Sequence, residues 1–300
     1  MLQSRDAENA PTEGALSSES DGLPKPRRYW AIAAISFGTA LLVLDGAIAN
    51  VALPTIARDL GVSNAVVTNV VTIYQLVLVM VLLPFASVGD RIGHRRLYQI
   101  GQALFLVASA LCLLANDLFV LLGLRALQAL GAGMALSVSA AMLRQIYPAR
   151  QLGSGMGINS VIVASSGALA PTLGGFIVGH APWQWVFAAA VPFAIVSLLL
   201  GRSLPEPVRR DRRPEWLSGI WSAVTMLLLI GGLQLATHEN GAIGVPLTIA
   251  GVLSAVWLVR RERRRTAPVV PVDLLGKPVI GFSALAAISC FVASGALMLS

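Results

Sequence analysis

Long apolar runs alternate with short charged connections along almost the whole chain. Between the charges lie apolar stretches at 29–54, 65–88, 97–115, 118–143, 152–179, 181–201, 216–237, 240–259 and 279–300. Each supplies the roughly 20 residues that a helix needs to cross a bilayer. In hydrocarbon an unpaired backbone N–H or C=O is too costly, so spanning segments are helices or the strands of a closed barrel. Barrel strands alternate in hydrophobicity over about ten residues, which these continuous runs do not. The pattern predicts an all-α, polytopic membrane protein of about nine helices.

The chain is 56% hydrophobic and 12% charged with a mean hydropathy of +0.74, whereas a soluble domain is roughly a quarter charged. The net charge of +7 and pI near 10.2 would suit nucleic acid in a soluble protein. Here the placement of the charges gives a better account. Lys25, Arg27 and Arg28 precede the first span, and Arg91, Arg95 and Arg96 follow the second. Arg144 and Arg150 follow the fourth, Arg202 to Arg213 the sixth, and Arg260 to Arg265 with Lys277 the eighth. The alternate loops carry only Arg58. By the positive-inside rule the N-terminus and every basic loop are expected in the cytoplasm, on the inner (plasma) membrane, with lipid and not nucleic acid as the partner.

Residues 1–28 are polar, rich in Ser, Glu, Pro and Gly, and lack an apolar core, so they are expected to form a disordered cytoplasmic tail and not a cleaved signal. A basic linker at 204–215 separates the six spans of 29–203 from a helix pair at 216–259. A second basic, Pro-broken loop follows at 260–278, and a last apolar run at 279–300 has no polar flank after it. Cys112 and Cys290 fall inside spans, where a thiol acts as a small hydrophobe.

Seven of the nine spans hold no charge, and the other two hold one each, of opposite sign: Asp45 in the first and Arg125 in the fourth. A charge inside the membrane points to a functional site. Asp45 lies nine residues before Pro54 on an outward span, and Arg125 seven after Leu118 on an inward one. At 1.5 Å per residue both sit roughly 10 to 14 Å from the outer face. Equal depth permits a pair if the two spans are neighbours. A carboxyl whose proton affinity is set by an arginine's proximity suits proton-driven transport. A fixed structural ion pair is the alternative, as is an Arg125 that snorkels while Asp45 caps a local break.

Span five carries Gly157, Ser166, Ala170, Gly174 and Gly175 on a small-residue track broken by Pro171. Close helix packing accounts for the glycines, and adding Pro171 favours a bending, cavity-lining helix. In the VGDRIGHRRL loop after span two, Asp90 is placed to cap the next helix or turn, Gly93 allows a reversal, and Arg91 and Arg95 meet headgroups or helix ends. Asn50, Tyr74, Gln75 and Gln128 are candidate pathway-lining groups, and equally candidates for helix-to-helix hydrogen bonds. His94, His180 and His238 have no partner at ligand spacing, so no metal is expected. GMG lies inside an apolar helix with no strand before it, and no GxxxxGK[ST] occurs, so no nucleotide or other cofactor is expected. No nucleophile, base and metal constellation points to an enzyme.

Taken together, these motifs resemble the major facilitator superfamily, and within it the fourteen-helix drug:proton antiporter branch. LDGAIANVALP matches that branch's first-span signature through Asp45, Asn50 and Pro54, with Ala47 where Thr is usual. VGDRIGHRR is similar to the superfamily's gating loop through Asp90, Arg91, Gly93 and Arg95, with His94 at one basic position. RALQALGAG matches the fourth-helix signature through Arg125, Gln128 and Gly131, and Pro171, Gly174 and Gly175 match the antiporter signature of helix five. The resemblance implies a six-helix N-terminal bundle, two linker helices and the first helix of a second bundle, the first nine of fourteen. It implies proton coupling at Asp45 and Arg125, gating by Asp90 and Arg91, and export of small hydrophobic, cationic compounds. A missing C-terminal half would then be a partner of this chain. The rival expectation is a non-transporting fragment or scaffold that needs another chain to complete the cavity.

Overall fold

A computed structural model describes residues 22–205, 216–238 and 241–262. Eight helices there are long and apolar enough to cross a membrane: α1 (Lys25–Leu60), α2 (Asn64–Ile92), α3 (His94–Leu114), α4 (Leu118–Ile146), α5 (Ala149–His180), α6 (Trp185–Ser203), α7 (Ser218–Ala236) and α8 (Gly241–Arg261). They follow the first eight apolar runs in order, and the described residues form no strand. The ninth run, 279–300, lies outside the described residues, as do 206–215 and 263–278.

Polar residues set the helix ends. Asp117 caps α4, its carboxylate accepting from the N–H groups of Phe119 and Val120 at 2.9 and 3.3 Å. Gly61, in the left-handed region at φ 64°, ends α1. Residues 25–28, expected to belong to a disordered tail, are helical, because α1 already begins at Lys25, and residues 1–21 lie outside the described residues. Arg27 donates from Nε and Nη2 to the carbonyls of Ser203 and Leu204, both at 3.1 Å. Arg28 donates to Leu23 O at 2.8 Å, and Leu23 N–H donates to Ile146 O at 3.2 Å. Carbonyls at the C-terminal ends of α4 and α6 are thus satisfied by Leu23 and by Arg27 in the first turn of α1, which draws the helix start forward.

Sequence neighbours are not always spatial ones. α4 lies between α2 and α3, while α1 runs along α5 and α6 and also touches α2 and α4. α6 closes against α3, and α4 and α5 scarcely meet although a short turn joins them. α7 pairs with α8 and lies against α2.

Two apolar cores result. One, toward the ends that carry the basic loops, includes Ala31, Ile35, Leu97, Phe105, Met142 and Ile146. The other, toward the opposite ends, includes Ile48, Val70, Cys112, Leu121, Trp183 and Phe187.

Lipid offers little hydrophobic drive between helices, so close backbone approach and interhelical hydrogen bonds must hold the bundle. α3 and α4 touch at Gly101 and Gly131, where a Cβ on either would stand 2.6 Å from the other's carbonyl oxygen. Gly38 of α1 faces a knot in which Tyr98 OH donates to Ala34 O at 2.9 Å, as does Ser197 Oγ. Gln102 Nε2 donates to Tyr98 OH at 3.3 Å, so α1, α3 and α6 share these bonds.

Gly131→Val would force a side chain into the backbone of Gly101 and Phe105, where no rotamer change relieves it. The expected cost is about 2 kcal/mol or more. Gly175→Ala, in open space, should change stability by less than about 0.5 kcal/mol. Unfolding midpoints in detergent would separate the two.

Candidate functional site

α1 and α4 are neighbours, and the two intramembrane charges meet. Arg125 Nη1 donates to Asp45 Oδ2 at 2.7 Å, with both side chains fully buried. Their seat is the seam between the two cores: Leu42 and Ala129 belong to one core, Leu44 and Leu121 to the other.

Removing two charges from water is expensive, so the surroundings must supply polar and aromatic partners. Arg125 Nη1 also donates to Gln128 Oε1 at 2.9 Å, one turn along α4, and Nε donates to the Val70 carbonyl of α2 at 3.4 Å. Gln128 Nε2 donates to Ser109 Oγ of α3 at 2.8 Å. Arg125 Cζ lies 4.2 Å from the Tyr74 ring centre and 5.1 Å from that of Phe187, giving the cation two aromatic faces. Tyr74 OH donates to Leu42 O at 3.5 Å. Asp45 Oδ1 and Arg125 Nη2 have no hydrogen-bond partner among the described residues.

The four candidate lining residues separate. Tyr74 and Gln128 are buried in the ion-pair cluster, whereas Asn50 and Gln75 are exposed on the bundle surface. Asn50 Nδ2 turns back to Gly46 O and Ala47 O, both at 3.4 Å. The small-residue track of α5 separates too. Gly174 meets Ile48 and Val51 of α1, and Ala170 is buried, while Gly157 and Gly175 face open space and Pro171 is exposed. One helix cannot turn all five small residues to one neighbour, so only part of the track serves the α1–α5 contact.

Gly93 alone joins α2 to α3, at φ 98° where a side chain would be strained. Asp90 does not cap α3, whose first turn has no side-chain cap. Its carboxylate instead accepts from His94 Nε2 at 3.1 Å, and His94 Nδ1 accepts from Gln145 Nε2 at 3.3 Å. The residue that departs from the basic pattern thus ties this loop to the end of α4. Arg91 is exposed and Arg95 half-buried, and neither belongs to that link.

Ser109, the Val70 carbonyl, Phe187 and Gln145 carry no charge, and nothing in sequence marked them for the site. Depth was the one available signal. Ser109 lies five residues before the end of α3 and Gln128 ten after the start of α4, which at 1.5 Å per residue puts them about 8 and 15 Å from the turn that joins the two helices.

Eight apolar helices closed around a buried ion pair define a polytopic α-helical membrane protein. The family model for the Major Facilitator Superfamily matches residues 35–300, and the chain belongs to that superfamily of membrane transporters. It is 41% identical over 286 residues to the "Uncharacterized transporter YebQ" of Escherichia coli (strain K12), covering 94% of this chain and 63% of that protein. It is 33% identical to the "Multidrug efflux pump LfrA" of Mycolicibacterium smegmatis, covering 86% of this chain and 53% of that one. The chain therefore spans between about half and two thirds of these relatives. The crystal structure of the peptide transporter POT in complex with sulfate superposes with a TM-score of 0.55 at 15% identity, over 85% of this chain and 53% of that one. That likeness is one of fold.

Arg125→Leu would strand the Asp45 carboxylate in the dry seam, at an expected cost of about 3 to 5 kcal/mol. Adding Asp45→Asn should restore much of that loss. Thermal unfolding of the two single variants and the double variant in detergent measures the rescue.

Proposed function

We propose that this chain is the N-terminal part of a proton-coupled antiporter that exports small hydrophobic, cationic compounds across the inner (plasma) membrane. The carrying observation is the Asp45–Arg125 pair, buried at 2.7 Å with Asp45 Oδ1 still unpartnered. Protonating Asp45 removes the charge that holds Arg125 and leaves a lone cation in a dry seam. Such a charge is costly enough to favour another arrangement of α1, α2 and α4. Proton binding and helix arrangement are then two expressions of one equilibrium.

The basic loops set the orientation in this reading, with the N-terminus in the cytoplasm. Asp90, Arg91, Gly93 and Arg95 gate that side, and His94 and Gln145 join the loop to α4. Relatives named as multidrug efflux pumps support export. The greater length of the relatives supports a second bundle that completes the cavity with the exposed face bearing Asn50 and Gln75. The same observation favours a second reading, in which this chain alone is a non-transporting scaffold until a partner supplies that bundle.

Reconstitution of this chain, alone and with the remainder of its gene, into vesicles holding a pH-sensitive dye tests both readings. Adding ethidium outside should drive proton movement in the complete protein, and Asp45→Asn should reduce it to background without loss of inserted protein. Undiminished proton movement in that variant would remove Asp45 from the mechanism. Movement by this chain alone would end the scaffold reading.

A further inference from the structure

The linker helices are the part of the molecule to which the mechanism above assigns nothing, yet α7 touches α2 beside the ion pair. Gln234 Nε2 of α7 donates to Thr72 Oγ1 of α2 at 2.7 Å, in a half-buried contact. Thr72 lies midway between Val70, whose carbonyl accepts from Arg125, and Tyr74, whose ring covers the guanidinium. Val70 and Tyr74 are four residues apart and share a helix face; Thr72 is about 200° round from each. One turn of α2 is therefore held on one face by Arg125 and on the other by Gln234.

Toward the other end of α2 the two helices pack more extensively, with Gly219 of α7 set against Pro84. A cavity of about 320 Å³ opens there between Met80, Pro84 and Val88 of α2 and Gly219, Ile220 and Val224 of α7. Pro84 interrupts the helical bonding of α2 at that level. A π-helical turn, Leu227–Gly231, lies between this region and Gln234, and turns of that kind recur at functional sites. α7 thus packs against α2 around Pro84 and reaches it beside the ion pair through the Gln234 hydrogen bond.

We propose that the α7–α8 hairpin is a working part of the coupling machinery, with Gln234 a positioning residue that acts through Thr72 and α2 on Arg125. The role rests on the antiporter reading of the Asp45–Arg125 site. Holding Thr72 fixes where the Val70 carbonyl and the Tyr74 ring stand, and so fixes how strongly Arg125 is held away from or against Asp45. The titratable groups around Arg125 are Asp45 from α1, Tyr74 from α2 and Cys112 from α3, and none lies on α7. Any effect of Gln234 must therefore pass through α2.

The test uses the complete protein in vesicles. In a background with every native cysteine, Cys112 and Cys290 among them, replaced by Ala, the pair Thr72→Cys and Gln234→Cys should cross-link under mild oxidation, and failure to do so overturns the contact. Gln234→Leu and Thr72→Val should each change ethidium-driven proton movement at one end of the pH range about three- to tenfold relative to the other, shifting its midpoint. The double variant should shift it no further, and Thr72→Ser should behave as wild type. Lower yield or melting temperature with an unmoved midpoint would mean that the contact only stabilises the fold, and would overturn the proposal. Asp45→Asn separates the two ideas. If it leaves proton movement intact, the antiporter reading falls and the role of Gln234 with it. If it abolishes movement while Gln234→Leu leaves the midpoint unmoved, only the role of Gln234 falls.

Discussion

The ion pair between Asp45 and Arg125 organises the bundle around itself. Two opposite charges at one depth in a dry interior can be tolerated only together. Their partners come from α1, α2, α3 and α4, with Phe187 at the start of α6 closing one side. The pair also divides the apolar interior, since one core ends and the other begins at its level. A polar seam between two apolar blocks is a place where helices can shift without tearing either block. In the proposed antiporter the pair is the moving part.

Elsewhere the bundle is held by devices that tolerate little movement. Gly101 against Gly131 brings two backbones together, and Ala34, Tyr98, Gln102 and Ser197 tie three helices by hydrogen bonds around Gly38. The linker pair repeats the strategy. Gly232, Gly244 and Gly251 bring α7 and α8 close, and Thr225 meets Ser254 at 2.7 Å. Rigid small-residue contacts and one charged seam give the chain both a frame and a place to give. The loop at Gly93 is bound through His94 and Gln145 to the same helix that carries Arg125. The proposed gate and the proposed coupling site therefore share a mechanical element.

Much of this was legible in the sequence. The first eight apolar runs and the length a bilayer demands fixed the helical class and its order, because cost in hydrocarbon is local and acts on each segment separately. The rarity of charge within the runs singled out Asp45 and Arg125 for the same reason. The start of α1 was placed four residues too late, because the carbonyls that Arg27 and the Leu23 N–H satisfy lie at the ends of helices far along the chain. Which helix touches which was not legible either. The pairing of α1 with α4 and of α7 with α2 depends on side-chain volume and backbone approach summed over whole faces.

The split of the candidate polar residues has the same origin. Tyr74 and Gln75 are adjacent and similar in polarity, yet one covers the guanidinium and the other is exposed, because a step of one residue turns about 100° round the helix. By itself the sequence determined that the chain crosses a membrane as helices and where its intramembrane charges stand, since solvation of each segment decides that. Only the tertiary structure decided that those charges meet, and that Ser109, His94, Gln145 and Gln234 enter hydrogen bonds between helices. A neutral side chain has no cost that reveals it in advance and gains its role only from the neighbour that packing brings.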